Sequence, residues 1–223
     1  MARDDLSLCK HGDYTRTSYT RAVRVKICGI TNAEDALAAE AAGADAVGLI
    51  FAERSKRRVT LAQAQGISDA LGPFVMRVGV FVDAPLGEVL EAAQTLRLGA
   101  VQLHGSELPG YAEALRPAVR VIKVFTFAPD LTPDTLRRFP ADAVFIEGPT
   151  PGSGETFSWD EAATLKGFPK LILAGGLTPD NVAAGVRSLR PYAVDVASGV
   201  ERAIGLKDHA KVQDFVRAAK TAG

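Results

Sequence analysis

Residues 23–31 read Val23-Arg24-Val25-Lys26-Ile27-Cys28-Gly29-Ile30-Thr31, a short apolar run that closes on a cysteine and turns through a glycine and a threonine toward a helical stretch. Two-residue alternation puts Lys26 and Cys28 on one face of a strand and Val25 and Ile27 on the other. An ammonium and a thiol then stand at a strand exit, where α/β proteins do their chemistry. The same plan recurs seven more times, at Ala46–Phe51, Val75–Val82, Ala100–His104, Val119–Phe125, Ala143–Glu147, Leu171–Ala174 and Ala193–Val196, with helical spacing between the runs. Eight strands and eight helices in about 200 residues match a closed barrel at the small end of its range. An open doubly wound sheet usually has fewer strands, about five to seven. The fold class is therefore read as α/β, a single-domain (β/α)8 TIM barrel over residues 23–223. Residues 1–22 hold Asp4, Asp5, Lys10, His11 and Asp13 among scattered Ser and Thr with no apolar period. They read as a disordered or loosely attached N-terminal arm.

The even-numbered runs begin alike, as Ala46-Val47-Gly48-Leu49, Ala100-Val101-Gln102-Leu103, Ala143-Val144-Phe145-Ile146 and Ala193-Val194-Asp195-Val196, the first and third preceded by Ala-Asp. Three odd ones share Val23-Arg24-Val25, Met76-Arg77-Val78 and Val119-Arg120-Val121. A period of roughly 45 to 55 residues suggests a repeated βαβα quarter-barrel. Helix starts are marked by Thr31-x-x-Glu34, Thr60-x-x-Gln63 and Ser158-x-x-Glu161, which read as capping boxes. Thr132-Pro133 and Thr178-Pro179 place a cap before a proline of the first turn.

Composition narrows the partners. With 26 basic and 26 acidic side chains in 223 residues there is no net field to collect nucleic acid or anionic lipid, so a small molecule is expected. Cys9 and Cys28 are too few, in too long a chain, for a disulfide framework, and read as free thiols of a reducing compartment. No run approaches the ~20 apolar residues that span a bilayer, and the first residues lack a signal-peptide core. A cytoplasmic location follows as the expectation, with no membrane partner; the sequence leaves monomer and homodimer open.

In a barrel the strand exits share one face. Aligned on their Ala-Val starts, His104 and Glu147 have one register, and Asp195, two residues earlier on its strand, has the same facing. With Lys26 and Cys28 they would give the mouth an imidazole, two carboxylates, an ammonium and a thiol. Positive potential from Lys26 would favour the Cys28 thiolate. Glu147 closes an apolar run and needs a partner or a task. Gly175-Gly176 and Ser198-Gly199, after the last two strands, sit where barrels bind phosphate on backbone N–H groups. Ser55-Lys56-Arg57-Arg58 is a basic loop, and Pro151-Gly152-Ser153-Gly154 reads as a flap or a turn.

Val25-Lys26-Ile27-Cys28-Gly29-Ile30-Thr31, Ser55-Lys56-Arg57, Val78-Gly79-Val80-Phe81, Gln102-Leu103-His104-Gly105, Gly152-Ser153-Gly154 with Phe157 and Trp159, Ala174-Gly175-Gly176-Leu177 and Asp195-Val196-Ala197-Ser198-Gly199-Val200-Glu201 occur in order. Together they resemble the phosphoribosylanthranilate isomerases of tryptophan biosynthesis. The resemblance implies a cofactor-free and metal-free Amadori rearrangement of a phosphosugar. In it an acid protonates the ring oxygen, the ring opens to a Schiff base, and a cysteine removes the C2′ proton. It further implies that Cys28 is the base and Glu147 the acid. Lys26 joins the substrate site, and Arg57 becomes a two-pronged donor to the anthranilate carboxylate. His104 lines the site, Asp195 contacts the sugar, and Gly175, Gly176, Ser198 and Gly199 hold phosphate. The family's acid is an aspartate, so Glu147 adds one methylene, about 1.5 Å of reach. Two other readings remain at this point: another phosphosugar epimerase or synthase, and a barrel that binds such a compound without turning it over.

Overall fold

The computed structural model describes residues 22–148 and 157–223. Cys9, nearly all of the predicted arm and the Pro151–Gly154 stretch lie outside the described residues. Eight parallel strands close into a barrel in chain order, β1 (Arg24–Cys28), β2 (Ala46–Ile50), β3 (Met76–Phe81), β4 (Ala100–Leu103), β5 (Arg120–Thr126), β6 (Ala143–Glu147), β7 (Leu171–Leu173) and β8 (Ala193–Val196). Every predicted strand is present, its ends within two residues of the apolar run that marked it. Helices α1 (Ala33–Ala41), α2 (Leu61–Ala70), α3 (Leu86–Thr95), α4 (Pro109–Leu115) and α5 (Pro133–Arg138) follow the first five strands. A 3₁₀ helix, Glu161–Leu165, follows β6, and α6 (Val182–Leu189) and α7 (His209–Thr221) follow β7 and β8. Between β8 and α7 lie a 3₁₀ turn, Ser198–Val200, and a hairpin of β9 (Glu201–Ala203) and β10 (Leu206–Lys207) that the apolar pattern did not reveal.

Alternation divides the core into two shells. Val25, Ile27, Val47, Leu49, Val101 and Leu103 face outward into a layer shared with helix residues such as Ala36, Ala39, Val89 and Phe215. Val78, Ala100, Ile122, Val124, Phe145, Ile172 and Ala193 fill the barrel interior. The quarter-barrel echo has a physical basis. Asp45, Gly99, Asp142 and Tyr192, each just before an even strand, donate their N–H to Val25, Arg77, Val121 and Leu171 of the preceding odd strand, at 2.8 to 3.0 Å. Where that residue is aspartate its side chain also accepts the odd strand's N–H, Asp45 from Val25 and Asp142 from Val121, each at 2.9 Å. The Ala-Asp pairs are thus cross-strand clasps. The odd-strand resemblance does not extend to one register: Arg24 and Arg120 line the lower cavity of the barrel. Arg77 instead bonds the carbonyls of Ser68, Leu71, Gly72 and Val75 and ties the end of α2 to β3.

Two helix starts differ from expectation. Asn32, not Thr31, caps α1 by accepting from Asp35 N at 2.8 Å, because Thr31 Oγ1 is committed to Gly205 O at 2.6 Å. α6 begins at Val182 rather than after Thr178, because the Asn181 side chain accepts from Thr178 N and donates to Gly176 O, closing a loop ahead of the helix. The boxes at Thr60 and the cap at Thr132 form as expected, and Ser158 Oγ accepts from Glu161 N at 3.4 Å.

The loops after β3 and β4 are locked by a buried pair. Lys123 Nζ lies 2.7 Å from Glu107 Oε2 and 2.6 Å from Gly105 O, while Glu107 also accepts from the N–H groups of Asp83 and Gly105. Burial raises the Glu107 pKa, but the Lys123 ammonium and the backbone donors more than offset it and hold the carboxyl below its usual range. A carboxyl depressed on folding contributes stability above its unfolded pKa and loses it as pH falls toward the folded value. Glu107→Gln should therefore cost about 3–5 kcal/mol at neutral pH, leaving Lys123 buried and unpaired. It should also flatten the fall in Tm below about pH 5, near the unfolded carboxylate value. Calorimetry of both proteins from neutral to acid pH checks this, and parallel curves would disprove it.

Candidate active site

The strand exits converge on one mouth lined by Cys28, Arg57, Gln102, His104, Glu147, Gly175, Gly176, Asp195, Ser198 and Gly199. The predicted constellation is thus brought together in one cavity, except for Lys26. That lysine lies deeper inside the barrel and borders the opposite cavity. Its Nζ meets Asp195 Oδ1 at 2.7 Å, both side chains almost fully buried. Burial alone would lower the Lys26 pKa, but the Asp195 carboxylate beside it drives the net value above the ordinary lysine range. Lys26 is therefore a fixed cation beneath the site, held by Asp195.

Cys28 ends β1 with 6% exposure, opposite Gly48 of β2. A Cβ on Gly48 would fall 2.6 Å from Cys28 Sγ and 3.0 Å from Lys26 Nζ, so glycine is what makes room for the thiol. Burial pushes the Cys28 thiol pKa up; Lys26 opposes this, Asp195 adds to it, and the net direction is up. The expected stabilisation of a thiolate by Lys26 is present but is outweighed by desolvation. In the free protein the group is a thiol at neutral pH.

Glu147 ends β6, buried, with Oε1 at 2.5 Å from His104 Nε2. His104 follows β4 and donates its backbone N–H to Phe81 O at 2.9 Å, which fixes the ring's origin. The two residues of common register therefore form one hydrogen-bonded pair. On the opposite rim Gly175 and Gly176 have φ of +83° and +64°, which a side chain would strain. A Cβ on Gly199 would lie 1.9 Å from Leu177 O, so the loops after β7 and β8 pack backbone to backbone. The N–H groups of Gly175 and Gly176 are given to no backbone carbonyl among the described residues, and Ser198 and Gly199 open the 3₁₀ turn that lines the same mouth.

Arg57 reaches the mouth from the loop after β2, and its Nε and Nη2 each lie 2.7 Å from a carboxylate oxygen of Glu201. The side-on prong is therefore already occupied. Of five guanidinium N–H groups, the end-on edge, Nη1 with the outer N–H of Nη2, remains for a ligand. Sequence reasoning missed Glu201 as a functional side chain because nothing in the spacing reveals a hairpin there. It also missed Gln102, which is 1% exposed with Oε1 unpartnered among the described residues. The signal was present, since Gln102 holds the same place as Asp195 in the Ala-Val-x alignment. Among the described residues no cluster of His, Cys, Asp or Glu has the makings of a metal site.

A family model described as N-(5'phosphoribosyl)anthranilate (PRA) isomerase matches residues 25–218. The chain belongs to the phosphoribosylanthranilate isomerase family. An N-(5'-phosphoribosyl)anthranilate isomerase of Geobacter sulfurreducens is 50% identical over 202 residues, 89% of this chain and 98% of that one. The crystal structure of the Thermus thermophilus phosphoribosyl anthranilate isomerase has a TM-score of 0.84 at 45% identity, covering 90% of this chain and all of the other. Another isomerase of the family, in complex with reduced 1-(o-carboxyphenylamino)-1-deoxyribulose 5-phosphate, has a TM-score of 0.77 at 38% identity over 89% of this chain and 99% of its own. A structure from Thermotoga maritima, of monomers generated from a dimeric member, has a TM-score of 0.79 at 38% identity, again over 89% and 99%.

Burial of the isomerase-family cysteine predicts its reactivity. In a Cys9→Ser background, alkylation of Cys28 by iodoacetamide should be slow at pH 7 and still rising past about 8.5, the ordinary thiol pKa. A rate that levels off below that value would mean that Lys26 outweighs burial.

Proposed function

We propose that this chain converts N-(5'-phosphoribosyl)anthranilate to 1-(2-carboxyphenylamino)-1-deoxyribulose 5-phosphate in tryptophan biosynthesis, in the cytoplasm, with residues 23–223 sufficient for the activity. The observation that carries the reading is the joint position of the Cys28 thiol and the His104–Glu147 pair in one cavity rimmed by two glycine loops. The phosphate of the substrate sits on the N–H groups of Gly175, Gly176, Ser198 and Gly199, and Asp195 and Gln102 meet the sugar hydroxyls. Arg57 meets the ring carboxylate through its end-on edge.

The chemistry needs a proton at one atom and its removal at another. A proton from the His104–Glu147 pair passes to the ring oxygen; the C1′–O bond breaks and the anthranilate nitrogen lone pair forms the iminium. That cation, arriving beside Cys28, favours the thiolate, by the same Coulomb effect that Lys26 exerts from below. Cys28 takes the C2′ proton to give the enolamine; return of that proton to C1′, with loss of the 2′-hydroxyl proton to the His104–Glu147 pair, gives the ketone and restores both groups. No electrons enter or leave, so no redox cofactor or metal is required.

Turnover followed by loss of anthranilate fluorescence tests the assignment. Cys28→Ser and Glu147→Gln should each lower kcat by about 10²- to 10⁴-fold, the range for a lost acid or base, with product affinity within a few-fold. Glu147→Asp should keep measurable turnover, reduced by up to about a hundredfold for a misplacement on the order of 1 Å. Unchanged turnover in Cys28→Ser, or in Glu147→Gln, removes that residue from the mechanism.

Of the two oligomeric states, a homodimer is favoured by the opposite end of the barrel. There Phe74, 95% exposed, and Met76, 42% exposed, stand beside a cavity of ≈ 610 Å³ lined by Val78, Ala100, Ile122 and Ile172. A protruding ring and a recess with apolar lining residues, which Arg24, Arg120 and Lys170 also border, can meet their own copies under a two-fold axis. Sedimentation should give a dimer for the wild type and a monomer for Phe74→Asp, with the active site intact in both. A wild-type monomer would exclude the pairing.

A further inference from the structure

Arg57 comes from the β2 side of the mouth, yet what holds it comes from the hairpin after β8. Glu201 accepts two hydrogen bonds from the guanidinium, and its Oε1 also accepts from Lys207 Nζ at 3.0 Å and from Gly205 N at 3.3 Å. Lys207 is 1% exposed and donates as well to Ala197 O, the carbonyl just before Ser198. None of these contacts is used in the steps above. We propose that Glu201 and Lys207 are positioning residues for substrate recognition: with Arg57 they form a buried cation–anion–cation triad that turns the end-on guanidinium edge toward the substrate's ring carboxylate. The inference rests on Arg57 being that carboxylate's partner.

Three observations carry it. The charges of the triad sum to one positive, so Glu201 orients Arg57 without cancelling its attraction for an anion; with Glu201 alone the net charge would be zero. A buried ammonium is expensive, and an ion pair whose only task was to fasten the loop after β2 would not need a second cation. The hairpin is also pinned to the loop that follows Cys28 and to the first turn of α1. Thr31 Oγ1 donates to Gly205 O at 2.6 Å, and Lys207 N donates to Asp35 Oδ2 at 2.9 Å. Arg57 Cδ lies 2.6 Å from where a Cβ on Gly29 would stand, so the arginine rests on the residue next to Cys28. One clasp therefore sets the distance between the carboxylate's cation and the thiol.

The test compares two probes, the reduced product analogue 1-(o-carboxyphenylamino)-1-deoxyribulose 5-phosphate and its phenylamino counterpart without the carboxyl. Glu201→Gln should weaken the first by about tenfold or more and the second by less than about twofold, with a matching rise in KM and kcat changed only a few-fold. General damage to the fold would weaken both probes alike. Glu201→Gln/Lys207→Met removes the fully buried ammonium together with its partner and leaves only the partly exposed Arg57 guanidinium, so it tests the same selectivity if the single variant does not fold. Arg57→Ala is the control. If it loses the discrimination while both Glu201 variants retain it, the positioning role is overturned and the reading of Arg57 stands. If Arg57→Ala itself still discriminates, the carboxylate is bound elsewhere and both readings fall.

Discussion

The barrel closes on a charge that has nowhere else to go. Lys26 and Asp195 face each other across the seam between the first and last strands, in direct register and 2.7 Å apart within an interior of Val, Ile, Phe and Ala. Each side chain alone in that setting would carry a large desolvation cost, and the cost falls only when the two meet. A shift of one residue in the seam would turn one of them out of the barrel and leave the other unpaired. The pair therefore fixes the register of closure, and closure fixes the mouth. Cys28 stands two residues beyond Lys26, and Ser198 and Gly199 follow Asp195 at the end of β8. The thiol and the loop after β8 are consequently positioned by one buried contact.

What surrounds the pair shows how little space the design leaves. Gly48 is absent as a side chain because Cys28 and Lys26 occupy its place, and Gly199 because the carbonyl of Leu177 occupies its own. On the outside of the barrel a second buried pair, Lys123 with Glu107, holds the loops after β3 and β4, from which His104 reaches Glu147. The His104–Glu147 pair and the Cys28 thiol are thus held from opposite sides of the barrel by separate ionic anchors.

Strands were legible because burial on both faces of a parallel sheet leaves continuous apolar runs bounded by polar helix starts. The facing of Cys28, His104, Glu147 and Asp195 followed from alternation alone. Illegible parts depend on contacts between residues far apart in the chain. Thr31 looked like a helix cap until Gly205, 174 residues away, claimed its hydroxyl. Thr178 lost its helix to the Asn181 side chain, a three-residue loop that competes locally with a capped start. Arg57 looked like a free two-pronged donor because the carboxylate that takes one prong lies 144 residues on, in a hairpin too short and too polar to leave an apolar run. Of the motif that carried the resemblance, part is packing: Phe157 stacks on Phe127 at 4.8 Å, and Trp159 lies against Gly185 of α6.

The position of Cys28 resolves an apparent conflict in its chemistry. In the proposed rearrangement Cys28 must be deprotonated when it acts, yet burial pushes its pKa up and favours the thiol in the free protein. A thiol pKa lowered permanently would yield a weaker base and an oxidation-prone thiolate. Here burial is the larger influence, and the pull of Lys26 on Cys28, opposed by Asp195, does not overcome it. The missing increment is a positive charge on the open side of the sulfur, and in the rearrangement that charge arises only after the ring has opened to the iminium. Ionisation of the base then follows the acid step rather than preceding it. In the proposed mechanism the order of the two proton transfers is set by where the charges sit: one cation below the sulfur, opposed by Asp195 and by burial, and one above it that exists only once the substrate has begun to react.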